Sequence, residues 1–224
     1  MNDQQDPPHA EEQIEWRAAV QAAMRAATEQ EIVQRHGTSA VSFNYRWEHV
    51  ATVVTLAVRL ARLTGADTEV VEAAAWLHDI CKERRERHPQ EGAKYARAFL
   101  PRTDFPAHKI DRVAQAIEAH MGLWREAPLT DLESMVLWDA DKLAKIGLTA
   151  VFHWIGGSLA GFQPTSVAEL IVQGRQADWQ AKTVASMHTV PARRAAAARF
   201  AAYQWLWDTL EAELNGDDLH PAGL

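Results

Sequence analysis

The sequence holds one cysteine, Cys81, in 224 residues. No disulfide can close within the chain, so nothing in it points to an oxidising compartment. No run approaches the roughly 18 consecutive apolar residues that a spanning helix needs, so no membrane partner is expected. Met1 to Glu15 is polar and acidic and lacks the apolar stretch of a secretory signal. A cytoplasmic protein is expected. Basic residues are in deficit: 23 Lys and Arg face 30 Asp and Glu, for a formal charge of −7. An acidic surface of that size argues against stable nucleic-acid binding, which works by phosphate neutralisation. A small phosphate substrate stays open, because a bound cation can reverse the local field. No segment alternates with the period of a strand, and no internal repeat is present.

What is present is helical periodicity. The polar segment 1–10 with its two prolines reads as a frayed tail. Trp16, Val20, Ala23, Met24 and Ala27 recur at three- and four-residue spacing, which predicts a helix from Glu11 to about His36. A second helix is expected from about Arg46 to Thr64, stopped by Gly65. Asp67 or Thr68 caps a third, VVEAAAWLHDI, apolar nearly all round and therefore central. Pro89 suits the first turn of a fourth helix, running to about Leu100. Residues 101–107 read as a loop, 107–121 as a helix and 122–129 as a loop. Thr130 with Glu133 has the spacing of a capping box, opening a helix to about Ile146. Gly156, Gly157 and Gly161 read as a turn region. Two helices, about 165–187 and 191–214, precede a polar tail at 215–224. The expectation is an all-α protein with one domain over 11–214.

Four polar residues fall in or beside apolar helices: His49, the adjacent pair His78 and Asp79, and Asp141 in the string DADKL. Burying histidine or aspartate without a partner is costly. Two imidazoles and two carboxylates offset that cost by sharing a cation, and this donor set suits Mn, Fe, Co, Ni, Mg or Zn. Neighbouring side chains on a helix diverge by about 100°, so His78 and Asp79 reach one ion only if the helix end points at it. Asp139, on another helical face, is not expected to ligate.

The ordered set His49, HDICK at 78–82 and DADKL at 139–143 resembles the HD-domain metal-dependent phosphohydrolase superfamily. The likeness spans about residues 44–147, and the segment from Lys182 to Gly216 is similar to the C-terminal helices of small members acting on nucleotides. It implies an HD-domain helical bundle with additional N- and C-terminal helices, the latter over 165–214. It also implies a divalent metal on His49, His78, Asp79 and Asp141, and hydrolysis of a phosphoester or phosphoanhydride. His88 and His120 stand where some members place a second metal. Two positions depart from the common pattern: Thr52 stands where many relatives have a basic residue, and Cys81 where many have glycine.

The roles expected on this basis are as follows. Asp79 accepts a proton from the attacking water. Lys82 or His120 stabilises charge on the phosphate. Arg46, three residues before His49, clamps a phosphate oxygen, and Trp124 lines the substrate pocket. The expected partner is a small phosphorylated molecule, a nucleotide above all, and the apolar terminal helices leave room for homo-oligomerisation. Two other functions fit the same residues. One is a two-metal phosphodiesterase or alarmone hydrolase, which would depend on His88 and His120. The other is a metal-binding regulatory protein without turnover.

Overall fold

The computed structural model describes residues 14–38, 40–41, 43–122, 124–125, 127–160, 166–176 and 179–219, with side chains omitted at 158–160. Among these residues the regular structure is helical: α1 (Trp16–His36), α2 (Tyr45–Thr64), α3 (Thr68–Leu77), α4 (His88–Phe99), α5 (Ile110–Ala119), α6 (Leu132–Leu143), α7 (Leu148–Ala160), α8 (Val167–Arg175), α9 (Trp179–Ala185) and α10 (Val190–Asn215). Short 3-10 turns cover Lys82–Arg87, Leu100–Arg102 and Ala107–Lys109. None of the described helices is long and apolar enough to cross a membrane.

The apolar string of α3 becomes the centre of the bundle. Val70, Val71, Ala73, Ala74, Ala75, Trp76 and Leu77 are all buried. Helices α2, α5 and α6 pack around it, and α1 covers it with Val20 and Met24. The alanines let these helices approach closely, and burial of the larger apolar groups drives the assembly. Asp67 caps α3 by accepting from the backbone N–H groups of Glu69 and Val70. Lys109 and Arg112 both pair with Asp67, tying α5 to the start of α3. A smaller cluster of Val151, Ile171, Tyr203 and Trp207 joins α7, α8 and α10.

Several boundaries differ from the sequence expectation. Helix α1 starts at Trp16, where the Glu15 carboxylate accepts from the N–H groups of Arg17 and Ala18. Asp131, not Thr130, caps α6: its carboxylate accepts from both the N–H and the hydroxyl of Ser134. Glu133 turns away from a capping box and binds Arg112 and the Asp67 N–H. Helix α6 ends at Leu143. Four residues on, Gly147 has φ of 78°, and a Cβ there would lie 2.7 Å from the Arg199 side chain. Residues 100–102 form a 3-10 turn where the loop is expected to begin, and 107–109 form another where the first turn of the next helix is expected.

Gly156 and Gly157 lie inside α7 and not in a turn. A Cβ on Gly156 would meet the Phe43 ring at 3.1 Å, so close packing keeps a glycine in this helix. Gly161 is outside the described residues, as are segments 1–13 and 220–224. The stretch expected as one helix over 165–187 forms α8 and α9. At the end of α8 the Gly174 carbonyl accepts from the Tyr203 hydroxyl at 2.5 Å, which satisfies a group the helix end leaves open.

Candidate metal centre and its two cavities

Helices α2, α3 and α6 converge so that His49, His78, Asp79 and Asp141 lie together, all of them buried. Helix α3 ends at Leu77, which leaves His78 and Asp79 in the turn beyond it. That placement frees the adjacent pair from the divergence of helical neighbours. His78 Nε2 is 3.7 Å from Asp79 Oδ2 and 3.9 Å from Asp141 Oδ1. His49 Nε2 is 3.1 Å from Asp141 Oδ1.

Three histidines are oriented by one device. The Nδ1 atoms of His78 and His120 donate to the carbonyls of Ala75 (2.8 Å) and Ile117 (2.6 Å), each three residues upstream. His88 Nδ1 donates likewise to the Arg85 carbonyl. A carbonyl only accepts, so each Nδ1 carries the proton and each Nε2 presents a lone pair. Arg85 is the one described non-glycine residue with positive φ, at 53°, and this bend sets its carbonyl under His88.

A cation fits these donors. His49 Nε2 and His78 Nε2 are buried and turned to the same oxygen, Asp141 Oδ1, which Lys145 also reaches; His78 Nε2 has no hydrogen-bond partner among the described residues. Leaving a buried polar group unsatisfied costs about 1–3 kcal/mol, so two buried imidazoles turned to one carboxylate are well matched by a cation between them. Ligand atoms of His49, His78 and Asp141 all lie within 4.8 Å of one another, and so do those of Asp79, His88 and His120. The two groups meet at Asp79 and His78. Backbone carbonyls that fix the tautomer of a histidine are the usual outer support of a metal ligand.

Four cations border the two carboxylates. Asp79 Oδ2 accepts from Arg46 (2.7 Å), and Asp79 Oδ1 from Lys82 (3.0 Å). Asp141 pairs with Lys142 (2.5 Å) and Lys145 (2.6 Å). Burial alone would push both carboxyls up. The surrounding cations win and hold both well below the usual carboxylate range: Arg46 and Lys82 for Asp79, and Lys142 and Lys145 for Asp141. Burial depresses His78 to about 3 and His88 to about 4, so both rings are neutral at neutral pH. Burial also pushes the Cys81 thiol up, which disfavours a thiolate there.

Glu31, Lys142 and Lys145 did not stand out as site residues in the sequence. Glu31 on α1 accepts from Arg46 at 3.2 Å. The one signal for Lys142 is a lysine amid apolar residues in α6. Trp124 is 52% exposed, with Lys182 5.6 Å from its ring centre. It is not among the described residues lining the two cavities that adjoin the centre. Asp139 is fully buried and accepts from the N–H groups of His188 and Thr189 at 2.8 Å each, fastening the start of α10 to α6.

A cavity of about 210 Å³ opens on the Asp79 side, between α1 and the 79–84 turn, and includes Lys82 and Arg84. A larger one, about 730 Å³, opens on the opposite side, where Tyr45 and Lys145 form its inner wall. Tyr45 stacks on His49 with ring centroids 6.0 Å apart and planes 8° from parallel.

Comparison with known proteins agrees with this arrangement. The family model of the HD domain matches residues 46–146, which hold all of the histidines and aspartates of the centre. Residues 46–146 are therefore an HD domain. It is similar to a predicted HD superfamily hydrolase from an uncultured Thermotogales bacterium, with a TM-score of 0.63 and 23% identity over 91% of this chain and 96% of that one. It also resembles Bacillus subtilis YpgQ, whose structure was solved in complex with ADP: TM-score 0.61, 20% identity, 89% of this chain and 98% of that one. Among curated proteins, a bifunctional uridylyltransferase/uridylyl-removing enzyme of Nitrobacter winogradskyi is 38% identical over 80 residues. That stretch is 35% of this chain and spans only 9% of the enzyme's length.

Proposed function

We propose that the protein is a metal-dependent phosphohydrolase that cleaves a phosphoester or phosphoanhydride of a nucleotide or related small phosphate. The observation that carries this reading is the buried cluster of His49, His78 and Asp141, whose ligand atoms lie within 4.8 Å of one another, with cations on either side. In this reading His49, His78, Asp79 and Asp141 hold a divalent ion. Such an ion supplies Lewis-acid polarisation of a phosphoryl oxygen and acidifies water at the site. Asp79, ionised in its buried setting, accepts the proton of the attacking water. Lys82 and Lys145 are the two site lysines with solvent access, at 31% and 26%, and each lines one cavity. Both are free to leave their carboxylates for a substrate phosphate. Arg46, held between Glu31 and Asp79, fixes the Asp79 carboxylate. The ADP complex of YpgQ supports a nucleotide substrate by analogy of fold alone.

A second reading is favoured by the group Asp79, His88 and His120. If it holds a second ion, the pair of sites suits a two-metal phosphodiesterase or alarmone hydrolase. The experiment that separates these uses metal-stripped protein with Mn, Co, Ni, Mg or Zn added singly. Release of phosphate or pyrophosphate from nucleoside mono-, di- and triphosphates and an alarmone, and of the linear dinucleotide from a cyclic one, is then followed by chromatography, with His78→Ala as control. Metal-dependent release that His78→Ala abolishes establishes the hydrolase, and the preferred substrate chooses between the readings. Metal-loaded protein without release on any of them would leave a non-catalytic metal-binding protein.

A further inference from the structure

The larger cavity is the least explained feature of the molecule, and it borders the metal centre directly. Lys145 joins it to Asp141, and Tyr45 joins it to His49. Its volume of about 730 Å³ is within the range typical of small-molecule sites, about 300–1,000 Å³. The outer wall is aromatic, with Trp154 and Trp179, and Tyr203 stands behind them. Flat rings of this kind bind planar heteroaromatic groups by stacking.

His153 lines the same wall. It is 9% exposed, and its Nδ1 is buried without a hydrogen-bond partner among the described residues. Its ring packs against Phe43 and edge-on to Tyr45, so it does not swing freely to water. Burial depresses its basicity, and the ring is neutral. The imidazole is a polar group in an otherwise largely aromatic lining, where it can offer one hydrogen bond to a bound molecule. Beside it, the nearly buried Gln180 supplies an amide to the lining; its Oε1 accepts from the Gly147 N–H at a long 3.5 Å.

We propose that this cavity is the nucleoside subsite: the base lies against Trp154 and Trp179, the His153 imidazole makes a hydrogen bond to it, and the phosphates run past Lys145 to the metal centre. The inference rests on the phosphohydrolase reading and adds to it the residues that tell a nucleotide from a bare phosphate chain. The smaller cavity, bordered by Lys82 and Arg84, has no aromatic wall and is left to phosphate or water.

The test is equilibrium binding of ADP and of inorganic pyrophosphate, by calorimetry, on the Mn-loaded full chain and on two variants. His153→Phe keeps the ring and removes the hydrogen bond. Trp179→Leu removes part of the stacking wall at a position 36% exposed, where a fold defect is not expected. A lost hydrogen bond of about 1–1.5 kcal/mol corresponds to roughly tenfold in Kd. The expected result is a roughly tenfold weaker ADP complex in each variant with pyrophosphate affinity unchanged. ADP affinity unchanged in both variants overturns the subsite, and so does an equal loss for ADP and pyrophosphate. Wild-type protein that binds pyrophosphate but not ADP also overturns it, while leaving the phosphohydrolase reading standing. Wild-type protein that binds neither removes both.

Discussion

His88 and His120 meet Nε2 to Nε2 at 3.1 Å, with Asp79 Oδ1 3.4 and 3.6 Å from them. Both Nδ1 atoms are committed as donors to carbonyls, so three acceptors face one another across this gap. A positive group placed between them resolves that arrangement. Lys82 Nζ reaches His88 Nε2 at 3.2 Å and is one candidate; a metal ion is the other. If the metal is the occupant, wild-type protein loaded with Mn or Co and freed of excess ion carries two equivalents by elemental analysis. His88→Ala then carries one, and His49→Ala loses the other. One equivalent in the wild type, unchanged in His88→Ala, would assign the junction to Lys82 alone.

Metal-free protein should lose stability as the pH falls from 7 to 5. The folded state holds His78 at about 3 and His88 at about 4, against an ordinary value of 6.5. Between those values the unfolded chain binds protons that the folded chain refuses, so acid favours unfolding. At pH 5 each ring contributes at most about 2 kcal/mol, from the 1.36 kcal/mol that accompanies each pH unit. His49 is depressed in the same direction. Asp79 and Asp141 barely enter this window, because their stabilising contribution is lost only as the pH falls below the ordinary carboxylate value. Thermal unfolding of chelator-treated protein at pH 7 and pH 5 measures the effect. A melting temperature that is flat over this interval would mean that the histidines are solvated.

The metal-centre residues stood out because each is a short string on an apolar helix: HDICK, DADKL and the lone His49. The helical class was likewise visible, since three- and four-residue spacing is a local property. What was hidden depends on contacts between distant segments. Thr130 and Asp131 are adjacent capping residues, and the choice fell to the one whose carboxylate reaches Ser134 twice. Gly156 and Gly157 have the composition of a turn, yet Phe43 packs where a Cβ would stand and α7 runs through. Glu31 meets Arg46 across 15 residues and has no signature of its own. The larger cavity had no signature either, because its lining gathers residues from α2, α7, α8, α9 and α10.

Lys142 carries a further prediction. It is 1% exposed, with Nζ bonded to Asp141 and to the His120 carbonyl (2.9 Å) and 4.2 Å from the Trp138 ring centre. Burial lowers its pKa to about 8, although Asp141 opposes the shift. The lysine therefore ties α6 to the end of α5 beneath the centre. Lys142→Met removes one half of a buried pair, which costs about 3 kcal/mol or more. Urea unfolding should show a lower midpoint with unchanged slope. A loss under about 1 kcal/mol would mean that Lys145 satisfies Asp141 unaided.

Gly174 tests whether the terminal helices can be disturbed apart from the metal centre. A Cβ there would stand 2.4 Å from Cε2 of Trp207, whose side chain is almost fully buried and has no room to retreat. Gly174→Ala must therefore push α8 away from α10, and overpacking of this kind costs about 1–3 kcal/mol. Gly174 also borders the larger cavity, whereas the metal-centre residues lie on α2, α4 and α6 and in the turns that follow α3 and α5. The variant should melt earlier and bind ADP less well, yet keep its metal stoichiometry. If metal is lost together with stability, the terminal helices and the HD core unfold as one unit. Preserved stability would mean that α8 shifts freely, and the cavity wall it forms would then be adjustable to the size of the ligand.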